Sequence, residues 1–207
     1  MHLKNREKLP YFTLSQLALA YKSRASALVV TQNKIRQKKR YQIREGVYIT
    51  AQKFMEYSLS NKITAFKEFI ATNVIYTPSY LSLEYVLFEN HILTENVYTF
   101  TLVSRKKTAK FSNHFGDFNY RSMKSAFFDD YETIKVGDFL IFKATPEKAL
   151  FDYLYFKKGI VFTESYFEEL RLNLDNVNFK KLEKLVKKYK SRKLGKCFKL
   201  LTKIKWS

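Results

Sequence analysis

The chain has 207 residues, enough for one large domain or two small ones, and 46% of them are apolar, which excludes global disorder. A formal net charge of +19 excludes a balanced surface and directs attention to polyanionic partners. The charge is uneven: residues 1–50 hold eleven Lys/Arg against two acids (+9), residues 160–207 thirteen against five (+8), and residues 51–159 fourteen against twelve (+2). A lysine-rich composition is the alternative to a functional reading of the C-terminal excess, though the weaker of the two. At the N-terminus the excess coincides with a motif.

Residues 1–8 are basic and residues 9–21 uncharged, an outline shared with a secretory leader. Pro10, Thr13, Ser15 and Gln16 interrupt the apolar run and fit a capped helix over 13–21 better. Thr13 suits the N-cap, Gln16 is its capping-box partner, and Leu14, Leu17, Ala18 and Tyr21 share one face. A second helix is expected from Ser23 or Arg24 to about Gln37. Its spacing predicts Leu28 and Ile35 toward the core and Arg24, Ala27, Thr31 and Lys34 on the opposite face, although Val29-Val30-Thr31 is β-branched and weakens the helix. Residues 41–50 alternate and are β-prone, with Gly46 suited to a turn.

Two helices, a basic corner (Gln37-Lys38-Lys39-Arg40) and a glycine-containing β segment are the parts of a winged helix-turn-helix. That motif lays its second helix in the DNA major groove. Double-stranded operator DNA is the partner this predicts. The candidate contacts are Arg24, Thr31, Gln32, Asn33, Lys34, Lys38, Lys39, Arg40 and Arg44. Gln32, Asn33 and Lys34 are the candidates for base edges; Lys39, Arg40 and Arg44 are candidates for the backbone, with Arg40 and Arg44 also placed to reach the minor groove.

Residues 51–71 read as a helix or helix pair. No Pro/Gly/Ser linker marks a boundary, so two units meeting near residue 60 would be packed together. Residues 73–76 have strand character, and Pro78 suits the first turn of a helix carrying Leu81, Tyr85 and Phe88 on one face. Strands are expected over 97–104, 109–115, 117–123 and 132–142, the last with a turn at Gly137-Asp138. Helices are expected over 146–157, 163–172, 178–189 and 193–204. The expected fold class is α+β: a winged helix-turn-helix over 1–60, then a mixed α/β C-terminal domain over 61–207, strand-rich at 96–143 and helical at 146–207.

Catalytic signatures are missing. His2, His91 and His114 are far apart with no cysteine cluster, five glycines are scattered singly, and no G-x-S-x-G elbow occurs. No Asp or Glu is followed two residues later by lysine, the spacing of metal-dependent nucleases. A non-enzymatic protein without metal or cofactor is therefore expected. Asp129 and Asp130 read as solvated turn residues, Glu147 as a first-turn acid and Asp152 as an exposed polar group. The helix at 178–189 has Phe179, Leu182, Leu185, Val186 and Tyr189 on one face and lysines elsewhere. It suits nucleic acid, an anionic membrane surface or a core-facing helix with a solvated side. The lone Cys197 rules out an internal disulfide and fits a reducing cytoplasm; the longest uncharged run, 69–83, contains Pro78 and is too short to span a membrane.

The order of parts resembles a known family. A basic segment ending in Arg44-Glu45-Gly46-Val47-Tyr48 precedes Thr77-Pro78-Ser79-Tyr80-Leu81-Ser82-Leu83-Glu84-Tyr85-Val86-Leu87. After a strand-rich stretch comes Ala144-Thr145-Pro146-Glu147-Lys148-Ala149-Leu150-Phe151-Asp152-Tyr153-Leu154. In this order the segments resemble the AbiEi antitoxins of abortive-infection (type IV) toxin–antitoxin systems. The resemblance implies an N-terminal winged helix that represses its own operon and a C-terminal domain that counteracts a nucleotidyltransferase-like toxin. That toxin is the second expected partner; a membrane is not one.

Overall fold

The computed structural model describes residues 9–21 and 23–206; the basic segment 1–8 lies outside them. Thr13 closes a capping box at the first helix. Its backbone N–H donates to Gln16 Oε1 at 2.7 Å and its hydroxyl accepts from the Gln16 N–H at 3.2 Å. Helix α1 (Leu14–Ala18) ends before the expected limit at Tyr21. Ser23 caps α2 (Arg24–Arg36) by accepting from the Ser26 N–H at 3.1 Å. Lys38, at φ +55°, turns the chain into the hairpin of β2 (Arg40–Arg44) and β3 (Val47–Thr50). Gly46 sits between the two strands at φ +71°, a conformation glycine adopts without a Cβ clash. The short strand β1 (Phe12–Thr13) pairs with β3, giving an antiparallel sheet in the order β1-β3-β2.

Side chains alternate across a strand, and β3 uses both faces. Tyr48 joins Phe12, Leu14, Leu17 and Ala27 in a small core under the two helices. Val47 and Ile49 join the main core with Ile43. Helix α3 (Ala51–Leu59) leaves the hairpin directly, with Thr50 as its cap. From α3, Tyr57 places its ring 5.0 Å from Phe66 and 5.2 Å from Phe139, centroid to centroid. Tyr41 stacks on His114 at 4.1 Å, and Asn113 Nδ2 donates to the Ile43 carbonyl at 2.7 Å. Apolar packing therefore runs without a break across the boundary expected near residue 60.

Helix α4 (Ile63–Ile70) continues into a π-helical turn (Ala71–Ile75) where a strand was expected. Thr72 Oγ1 donates to the Glu68 carbonyl and Asn73 Nδ2 to the Phe69 carbonyl, side-chain bonds to the preceding turn that compete with its regular backbone ladder. The expected helix at Pro78 is also displaced. Ser79–Leu81 instead form β4, and α5 (Leu83–Glu89) begins after it. β4 lies in the middle of a mixed six-stranded sheet ordered β6-β7-β5-β4-β9-β8. The other strands are β5 (Phe100–Ser104), β6 (Ala109–Asn113), β7 (Gly116–Ser122), β8 (Tyr131–Val136) and β9 (Phe139–Ala144). Pairing with β5 (Tyr80↔Val103) and β9 (Leu81↔Lys143) takes the backbone groups a helix would have used.

The fold is α+β, with the helical C-terminus expected from its pattern. α6 (Pro146–Phe156) carries Pro146 in its first turn and is capped by Thr145, whose hydroxyl accepts from the Lys148 N–H at 3.2 Å. α7 (Glu164–Glu169), α8 (Phe179–Tyr189) and α9 (Arg192–Lys205) follow. Among the described residues no helix is long and apolar enough to cross a membrane.

A core shared by the N-terminal hairpin and the large sheet should unfold as one unit. We expect a single urea transition, coincident by circular dichroism and tyrosine fluorescence, and a loss of about 3–5 kcal/mol in Tyr57→Ala. Two resolved transitions would contradict the continuity of the core. Burial pushes the Cys197 thiol up to about 11. At about pH 8 it should resist a thiol reagent in the native protein and react fully in urea.

Candidate nucleic-acid interface

Helix α2 carries apolar side chains all round, and the fold buries a different face from the one its spacing predicts. Ala27 and Thr31 point inward, with Ile35 packed against the same small core. Leu28, expected inside, is 41% exposed, and Val29 is 59% exposed. The reason lies in the hairpin. Arg40 is 1% exposed, its Nη1 donates to Thr31 Oγ1 at 2.9 Å, and its guanidinium lies 5.1 Å from the Phe12 ring centroid. Burying a guanidinium is costly without partners, and here Thr31 accepts from one of its nitrogens while the Phe12 ring faces it. Two of the expected DNA contacts, Thr31 and Arg40, therefore hold α2 to the hairpin and do not face solvent. Ala27, placed on the solvent face by its spacing, is in the small core.

The remaining candidates divide by position. Gln32 and Asn33 are exposed on the outward side of α2, and Arg24 is exposed at its start. Lys34 is half-buried on the flank. Lys38 and Lys39 are exposed in the corner after α2, and Arg44 is exposed at the end of β2. Ala25, Leu28, Val29 and Arg36 complete the outward face and were not among the expected contacts. Val29 lies almost opposite Thr31 on a 3.6-residue helix, so the pairing of Thr31 with Arg40 turns it outward. Residues 9–44 contain eight Lys/Arg and no Asp or Glu. Arg44 also lines a cleft of about 910 Å³ between the hairpin and β6, with Lys106, Tyr76 and His114.

The acidic and basic residues of the 144–154 segment are structural. Asp152, expected to be exposed, is 0% exposed. Its Oδ1 accepts from Lys148 Nζ at 2.5 Å, and its Oδ2 accepts from the Tyr80 and Ser82 hydroxyls at 2.8 Å each. Lys148 Nζ also donates to the Phe127 carbonyl at 3.0 Å. Burial raises the Asp152 carboxyl pKa, while Lys148 and the two hydroxyls oppose that shift. Glu147 is buried too, and its Oε1 accepts from the Asn178 N–H at 3.0 Å, tying α6 to the start of α8. Asp129, expected as a solvated residue, is exposed, Asp130 is half-buried, and both are ion-paired with Lys188 on α8. Lys188 and the backbone N–H of Asp130 hold the Asp129 carboxyl below the ordinary carboxylate value.

Among the described residues no three His, Cys, Asp or Glu side chains are grouped to hold a metal ion. Compared with known proteins, the chain matches no family model, no curated protein and no solved structure.

Two substitutions separate fold from interface. Arg40→Ala should lower stability by about 1–3 kcal/mol, because Thr31 loses its buried partner. Removing Asp152 strands Lys148, and Asp152→Ala should cost about 3–5 kcal/mol. Chemical denaturation measures both. A substitution of either residue that leaves the unfolding midpoint unchanged would show that the buried pairing has been misread.

Proposed function

We propose that this chain is a DNA-binding antitoxin. Its N-terminal segment acts as a winged helix-turn-helix that represses its own operon, and the rest of the chain counteracts a nucleotidyltransferase-like toxin. The observation that carries the DNA half is the outward face of α2. It is exposed and free of acidic residues, and it stands beside the exposed Lys38-Lys39 corner in the order β1-α1-α2-β2-β3. A helix presented this way can enter a major groove while Lys38, Lys39 and Arg44 lie near the phosphates. The antitoxin half is supported by the resemblance of the 77–87 and 144–154 segments to AbiEi antitoxins. In this reading the chain works in the cytoplasm, performs no catalysis and needs no cofactor.

The DNA half predicts salt-sensitive binding to the region upstream of its own gene. With ~4–6 phosphates neutralised, log affinity should fall against log salt with a slope of about −4 to −5. Lys39→Ala and Arg44→Ala should weaken binding to operator and random duplexes alike. Gln32→Ala should reduce discrimination between them by about 1–3 kcal/mol. A slope near zero would remove the electrostatic basis of the proposal.

The antitoxin half predicts that full-length chain rescues cells expressing the adjacent nucleotidyltransferase-like gene. Gln32→Ala should lose repression of a promoter reporter and keep rescue. Failure of the wild-type chain to rescue, with repression intact, would favour a winged-helix regulator without antitoxin activity.

A further inference from the structure

Val29 is 59% exposed and Leu28 41% exposed on a 13-residue helix that has a core to bury them in. With exposed Ala25 they form a stripe at i, i+3 and i+4 that continues into exposed Gln32 at i+7. Val29 is β-branched and a weaker helix former than the alanine or leucine beside it, so neither helix propensity nor burial accounts for it at an exposed position. It is also short in reach: alanine and valine project little beyond the helix backbone. Whatever it meets must come close, must be anionic at its margins, where Arg24, Arg36, Lys38 and Lys39 stand, and must present small apolar groups at its centre.

The floor of the DNA major groove fits that description. Thymine's 5-methyl is the one apolar group among the base edges there, and the phosphates flank it. Adenine, its pairing partner, offers N6 and N7 to a glutamine side chain. We propose that α2 reads thymine methyl groups through Ala25, Leu28 and Val29, with Gln32 on a neighbouring adenine, so that the preferred site is an A·T-containing duplex. This rests on the reading that α2 enters the major groove, and it adds the chemistry of the site. The N-terminal half of a recognition helix usually lies deepest in the groove, which is where Ala25, Leu28 and Val29 fall. Arg36, in the last turn, is left for a phosphate. An anionic membrane would also attract the basic margin, but Gln32 and Asn33 interrupt the apolar face at the depth where acyl chains would lie.

The test uses full-length protein. Sites are selected from a pool of random 20-bp duplexes at about 50 mM salt, and the winning duplex is remade with deoxyuridine in place of thymine. Losing the methyl groups should weaken binding roughly 5- to 20-fold, as expected if about one or two buried methyls are lost. In Val29→Ala the thymine-to-deoxyuridine ratio should fall toward one. That exposed substitution leaves the fold intact, and the comparison separates methyl contact from any change in DNA shape. Duplex binding that ignores deoxyuridine, or a ratio unchanged in Val29→Ala, overturns the inference and leaves DNA binding standing. Binding to no duplex overturns both. Val29-dependent binding to phosphatidylserine vesicles, without duplex binding, would assign the stripe to a membrane instead.

Discussion

Strand β3 is buried on both faces, and the placement of α2 depends on it. Val47, Tyr48 and Ile49 are consecutive and all below 4% exposed. Tyr48 belongs to the small core with Phe12, Leu17 and Ala27, while Val47 and Ile49 belong to the large one. A strand exposed on one face would leave the helices on a loosely attached module. With both faces packed, slipping the register by one residue would exchange the two sets of side chains and disrupt both cores at once. Arg40 and Thr31 add a buried polar clasp from the neighbouring strand to the inner side of α2. The direction in which α2 faces outward is thus set by groups that never reach solvent.

Polar clasps recur through the larger part of the molecule. Asp152 joins α6 to β4 through Tyr80 and Ser82, and Lys148 reaches on to the Phe127 carbonyl. Glu68 on α4 accepts from Tyr85 and from Lys143, which also meets Glu89. Ion pairs of this kind gain little net energy because desolvation offsets the attraction. What they do is penalise any packing that leaves one partner alone. Such groups fix the packing of α6 against β4 and of α4 against α5 and β9.

The two basic ends of the chain differ in character. In the C-terminal helices Lys187 meets Glu183, Lys188 meets Asp129 and Asp130, Lys203 meets Glu164, and Lys205 meets Asp175. Four lysines there have acidic partners, so the excess charge overstates the field available to a ligand. Around α2 the sequence supplies no acid from residue 9 to residue 44. Local field, more than total charge, separates a surface that attracts phosphate from one that is merely solvated.

Much of the secondary structure was legible because its determinants are local. Thr13 with Gln16, Ser23, and Thr145 with Pro146 mark helix starts through bonds that span three residues, and Gly46 and Gly137 mark turns. The basic, acid-free character of the N-terminal segment is likewise a property of the sequence itself. Three features were not legible. β4 is three residues long, too short to show alternation, and only its neighbours β5 and β9 make it a strand. Asp152 looks like any polar residue on a helix until Tyr80 and Ser82, some seventy positions earlier, are brought beside it. The facing of α2 was misassigned for the same reason: helical spacing put Leu28 and Ile35 inward together, whereas the fold buries Ala27 and Thr31 and leaves Leu28 exposed. By itself the sequence determined where the capped helices at Leu14, Arg24 and Pro146 begin, where the turns at Gly46 and Gly137 fall and where positive charge accumulates, since these follow from interactions within a few residues. Which side of α2 meets solvent was decided only when the tertiary structure brought Arg40 and Phe12 against its inner face, because a buried guanidinium must find its acceptors wherever the chain folds back.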